Sequence, residues 1–146
     1  MNVEKSAHNA YQIYYHFVTP LKYRKGLLNI PEREQYLVET CKEIQERYSI
    51  KFLEIGCDIN HVHFLITAAP KYSPTQIMTM VKSITAKRMF KRFPELKRDL
   101  WGGEFWTDGF FVATVGEGQR NKEIIQNYIR NQGKKPEDMQ MRLFGL

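Results

Sequence analysis

The sequence predicts an α+β fold: an antiparallel sheet of four strands, two helices on one face, and one further helix near the C-terminus. Three patterns predict it. Four short segments alternate apolar and polar residues with the period of a strand. Two segments between them repeat apolar residues at helical spacing, and a third helical pattern follows the last strand. With 146 residues and 42% hydrophobic side chains the chain is sized for one core, so a single domain over 1–146 is expected.

From Ala10 to Thr19, Tyr11, Ile13, Tyr15 and Phe17 alternate with Gln12, Tyr14 and His16, and Pro20 closes this first strand. A basic loop follows, Lys22-Tyr23-Arg24-Lys25-Gly26. Pro31 opens a helix whose Leu37, Cys41, Ile44 and Tyr48 recur at i, i+4, i+7 and i+11. Leu53, Ile55, Cys57 and Ile59 then alternate with Glu54, Gly56 and Asp58. After a turn near Ile59-Asn60, Val62, Phe64 and Ile66 alternate with His61, His63 and Leu65, so the second and third strands form a hairpin.

Ser73-Pro74-Thr75-Gln76 is a capping-box start for the second helix, which is expected to bury Ile77, Met80, Val81 and Ile84 and to end near Pro94. Gly102-Gly103 opens a loop, and Phe110 to Val115 is the fourth strand. Gly116-Glu117-Gly118 leads to a third helix from near Asn121, stopped by Gly133 and Pro136. The order β-α-β-β-α-β plus a helix is that of a ferredoxin-like (RRM-like) antiparallel sheet.

Composition narrows the function. No wholly apolar run in the chain comes near the ~20 residues that span a bilayer. Glu4, His8, Asn9, Gln12 and His16 interrupt the N-terminal stretch where an export signal needs continuous apolar residues, so a cytoplasmic protein is expected. Cys41 and Cys57 lack C-x-x-C spacing and are expected as reduced thiols. The net charge of +6 favours a polyanionic partner. Lys82, Lys87, Arg88, Lys91, Arg92, Lys97 and Arg98 stand against Glu95 alone, so one helical stretch carries an excess equal to that of the whole chain. Such a stripe either tracks phosphates or is a solvated cationic face.

Two sets of residues carry candidate chemistry. His61 and His63, two apart on a strand, project from one sheet face while Val62, Phe64 and Ile66 take the other. The apolar face meets the helices, so the histidines look out from the open face, where neutral imidazoles can converge on a divalent cation; surface histidines without a metal are the plainer alternative. In the third helix Ile125 and Ile129 form an anchoring stripe, with Tyr128 and Gln132 on an adjacent one. Lying on the open face, that helix would bring Gln132 as an oxygen ligand and Tyr128 as a hydroxyl beside the cation. The alternative is that Tyr128 is a packing aromatic with its tip in water.

Together these residues resemble a known family. His61-Val62-His63 matches the HUH motif, Tyr128-Ile129-Arg130-Asn131-Gln132 its tyrosine helix, and Lys22-Tyr23-Arg24 its basic loop. In this order, from about Ala10 to Lys135 and including Tyr15-His16-Phe17-Val18 and Thr114-Val115-Gly116, the chain is similar to the single-tyrosine HUH transposases of insertion sequences that move as single-stranded DNA. Asn60, where an acidic residue often precedes the first histidine, and Thr19, where tryptophan is common, depart from the pattern.

The resemblance implies that Tyr128 attacks a DNA phosphate to form a 5′-phosphotyrosine. It also implies that His61, His63 and Gln132 hold magnesium or manganese, and that a homodimer recognises hairpin ends of single-stranded DNA. Two imidazoles by themselves suit manganese or zinc better than magnesium. Lys22, Tyr23, Arg24, Lys82, Lys87, Arg88, Lys91 and Arg92 are the expected DNA contacts. Competing with this are a non-catalytic single-stranded nucleic-acid-binding module that stacks bases on strand aromatics, and a structural zinc site built from Cys41, Cys57, His61 and His63.

Overall fold

A computed structural model describes residues 3–22, 27–100, 103–116 and 119–131. Its elements in chain order are β1 (Glu4–Lys5), β2 (Ala10–Tyr11), β3 (Tyr15–Pro20), α1 (Pro31–Arg47), β4 (Ile50–Cys57), β5 (His61–Ala68), α2 (Pro74–Arg92), α3 (Glu95–Asp99), β6 (Phe111–Thr114) and α4 (Gln119–Arg130). The main sheet has the order β4-β5-β3-β6, with every described pairing antiparallel. In terms of the four predicted strands this order is 2-3-1-4, the ferredoxin-like arrangement expected.

Strand parity sorts the residues into two cores. Phe17, Val62, Phe64 and Ile66 face Leu37 and Cys41 of α1 and Ile77, Met78, Val81 and Met89 of α2. The other face carries Tyr14 and Leu65, and α4 covers it with Tyr128 and Ile129. Gln126 Nε2 donates to Leu53 O at 3.3 Å and Arg130 pairs with Glu54 at 3.0 Å, which tie α4 to β4.

Four local readings need correction. The stretch read as one strand from Ala10 is two: Ala10–Tyr11 pairs with Glu4–Lys5 across a turn closed by Ser6 N donating to Asn9 O, and only Tyr15–Pro20 joins the main sheet. In α2, Met80 and Ile84 are only half-buried, while Met78, Thr85 and Met89 join Ile77 and Val81 inside. The helix is packed on two sides, by α1 and by the Trp106 loop, whose indole N–H donates to Thr85 Oγ1 at 2.9 Å. The chain also forms the short helix α3 after Pro94, burying Leu96, and the last strand is trimmed to Phe111–Thr114. The predicted capping box is present: Ser73 Oγ accepts from Gln76 N, and Gln76 Oε1 accepts from Ser73 N.

Candidate active site

The site forms where β5, β3 and α4 meet. His61 and His63 share the sheet face of Leu65, as their spacing requires. They do not look out from an open face: α4 covers it, His61 is half-buried, and His63 is only 2% exposed. Tyr128, 6% exposed, packs there through Ile129 and the half-buried Ile125. Its ring stands edge-on to His63 with centroids 5.8 Å apart. The structure therefore brings His61, His63 and Tyr128 to one place.

His16 is the residue the sequence reading gave no role. Val18 pairs with His63 in the β3–β5 ladder, so His16, two residues before Val18 on the same face, is its diagonal neighbour. The two rings stack at 5.4 Å and His16 Nε2 lies 3.2 Å from His63 Nδ1, a hydrogen bond with both residues buried. Tyr128 also meets His16 edge-on at 6.3 Å. Burial lowers the pKa of His16 to about 4. Burial first, and then the neighbouring His16 and His61 partly offset by Asp58, lowers that of His63 to about 3. Both rings are neutral at physiological pH, the form in which imidazole ligates metals. The strand parity of His16 was readable, but its pairing needed the β3–β5 register.

Neutral His63, with His61 on the same strand face and the Tyr128 phenol beside it, fits a divalent cation. Among the described residues no group of three or more His, Cys, Asp or Glu gathers to hold one. The third expected ligand, Gln132, lies outside the described residues, as do Tyr23 and Arg24 of the basic loop and Glu117 and Gly118 before α4. The zinc alternative fails on topology: Cys41 and Cys57 belong to the α1/α2 side of the sheet, opposite His63. The stacking-platform alternative loses two of its strand aromatics, because Phe17 and Phe64 are buried under the helices, while Phe111 of β6 stays exposed.

The basic residues divide. Lys22 pairs with Glu104 at 2.8 Å at the base of the loop. Lys82 is committed to the protein itself, donating to Thr107 O at 2.9 Å and to Gly109 O. Arg88 pairs with Glu43 of α1, while Lys87, Lys91 and Arg92 are exposed. All the α2 residues lie on the sheet face away from His63 and Tyr128, so the structure does not gather the stripe around the candidate site.

Similarity to known proteins defines this chain as a transposase. The family model described as "Transposase IS200 like" matches residues 9–132, and the chain belongs to that family. The ISDra2 transposase TnpA of Deinococcus radiodurans is 30% identical over 135 residues, covering 92% of this chain and 94% of its own. The transposase for insertion sequence element IS200 of Salmonella typhimurium is 32% identical over 133 residues, covering 90% and 85%. A crystal structure of a Deinococcus radiodurans protein assigned as a transposase superposes with a TM-score of 0.69 at 29% identity, covering 88% of this chain and 97% of that one. A REP-associated tyrosine transposase bound to a REP hairpin shares the fold, with a TM-score of 0.56 at 14% identity over 86% of this chain and 70% of that one. No helix among the described residues is long and apolar enough to cross a membrane.

Proposed function

We propose that this transposase cleaves and rejoins single-stranded DNA through Tyr128, with the whole chain acting as one catalytic domain. The observation that carries the reading is the burial of Tyr128 edge-on against His63, on a helix anchored to the strand face that bears His61. A phenol with no chemical task would more easily keep its tip in water. In the proposed step the phenol oxygen forms a bond to phosphorus as the bond from phosphorus to the 3′ oxygen breaks. The proton lost by the phenol is balanced by one gained at the 3′ oxygen. The products are a 5′-phosphotyrosine and a free 3′-hydroxyl, and one ester replaces another of similar energy, so rejoining needs no nucleotide.

His61 and His63, with Gln132, are the residues that would hold magnesium or manganese. A divalent ion bound there would draw charge from the non-bridging phosphate oxygens. The neutrality of the buried His63 ring favours this assignment, since a protonated imidazole cannot ligate. Lys22, Tyr23 and Arg24 and the exposed Lys87, Lys91 and Arg92 are proposed to contact DNA phosphates and bases, and hairpin ends read by a homodimer are the proposed substrate. The bound hairpin of the REP-associated relative supports that choice. The reading is tested by incubating the protein with hairpin-bearing single-stranded DNA and Mn²⁺ and mapping any covalent adduct. A 5′-phosphate linked to Tyr128 is the expected product; an adduct on another side chain, or cleavage without one, overturns the reading.

A further inference from the structure

We propose that His16 is a positioning residue for His63: its Nε2 accepts a hydrogen bond from His63 Nδ1, which holds His63 in the tautomer whose lone pair is on Nε2. The proposal deepens the metal-site reading above and rests on it. The two nitrogens are 3.2 Å apart with both residues buried, so one must donate and the other accept. The choice has a chemical consequence. If His16 donated, neutral His63 would carry its proton on Nε2, the one nitrogen left for a cation. If His63 donates, Nε2 is the basic atom, and the bond both orients the ring and raises its basicity as a ligand.

Several contacts fix this arrangement. The β3–β5 register sets Val18 opposite His63 and so places His16 on the diagonal. The edge-on ring of Tyr128 touches both imidazoles, at 5.8 and 6.3 Å between centroids, and opposes rotation of either. Val62, Phe64 and Phe17 pin the two strands from behind. His61 lies at the strand's start and is half-buried, so of the two proposed histidine ligands it is the inner one that bonds to His16.

The test uses the full chain with ¹⁵N-labelled histidine. In the metal-free wild type, two-bond proton–nitrogen correlations should show His63 protonated on Nδ1 and unprotonated on Nε2. A His63 protonated on Nε2 overturns the proposal, and this measurement requires no variant to fold. His16→Gln keeps an acceptor near the position of Nε2, whereas His16→Leu fills the space without one. Mn²⁺ titrations followed by electron paramagnetic resonance should show His16→Gln binding close to wild type and His16→Leu weaker by roughly ten- to a hundredfold. Equal Mn²⁺ affinity in wild type and a folded His16→Leu would also overturn it. A wild-type protein that shows the expected tautomer yet binds no Mn²⁺ would instead remove the metal reading while upholding the direction of the hydrogen bond.

Discussion

The ring of Tyr128 stands edge-on to the ring of His63, at 79° with centroids 5.8 Å apart, although the two residues are 65 positions apart in the chain. The contact makes one side chain both a candidate nucleophile and a part of the second core. Those roles separate by substitution. Tyr128→Phe keeps the ring and its packing, so the folded protein should persist within about 1 kcal/mol while covalent adducts with single-stranded DNA disappear. Tyr128→Ala should lose adducts and also about 3 to 5 kcal/mol of stability, read by urea unfolding.

His61 and His63 should differ in the same way. Either alanine substitution is expected to abolish metal-dependent cleavage. His61 is half-buried, and its loss should change stability by at most about 0.5 kcal/mol. Removing His63 leaves a cavity and breaks its hydrogen bond to buried His16, which should cost about 1 to 3 kcal/mol. Unfolding curves for the two variants check the contrast.

Acid should destabilise the metal-free protein through the same pair. The folded pKa values, about 4 for His16 and about 3 for His63, lie below the ordinary 6.5, so below pH 6.5 the unfolded chain binds more protons. The stability that the neutral rings contribute is fully present above pH 6.5 and is lost as the pH falls through 4 and 3. Urea midpoints should fall across that window, and His16→Leu should flatten the decline. An unchanged slope in that variant would remove His16 from the account.

The basic residues of α2 should fall into two groups. Neutralising exposed Lys87 and Lys91 should weaken DNA binding and reduce its salt slope by about one unit per lost phosphate contact at most. Lys82→Met should act on the fold, because it frees the carbonyls of Thr107 and Gly109. Binding isotherms at several salt concentrations, set beside thermal melts, separate the two.

Complementation addresses whose tyrosine serves whose histidines. If α4 acts on its partner's site, an inactive His61→Ala chain mixed with an inactive Tyr128→Phe chain should regain cleavage, since one mixed site holds both intact parts. Strictly cis action predicts no recovery, because each site then has one broken half. Gly116 lies just before α4, and a Cβ there would lie 2.6 Å from Asn121 Nδ2, the tip of a flexible side chain, so Gly116→Ala should be accommodated by a shift of that amide.

The sequence by itself determined the order of elements, the capping box at Ser73 and the parity that puts His61 and His63 on one face. These follow from local rules: a strand alternates every residue, a helix repeats at 3.6, and a serine-to-glutamine spacing of three closes a cap. Helical spacing likewise placed Tyr128 beside the anchoring Ile129. Tertiary structure decided what those rules cannot reach. The split between Ala10–Tyr11 and Tyr15–Pro20 depends on the hairpin with β1, and the inner face of α2 depends on the Trp106 loop. Lys82 was one more cation of a basic stripe until the Thr107–Gly109 carbonyls came within its reach. Above all, the partnership of His16 with His63 exists only in the β3–β5 register. A shift by two residues would keep His16 on the same face but carry it away from His63, and an alternation of period two does not distinguish the two alignments.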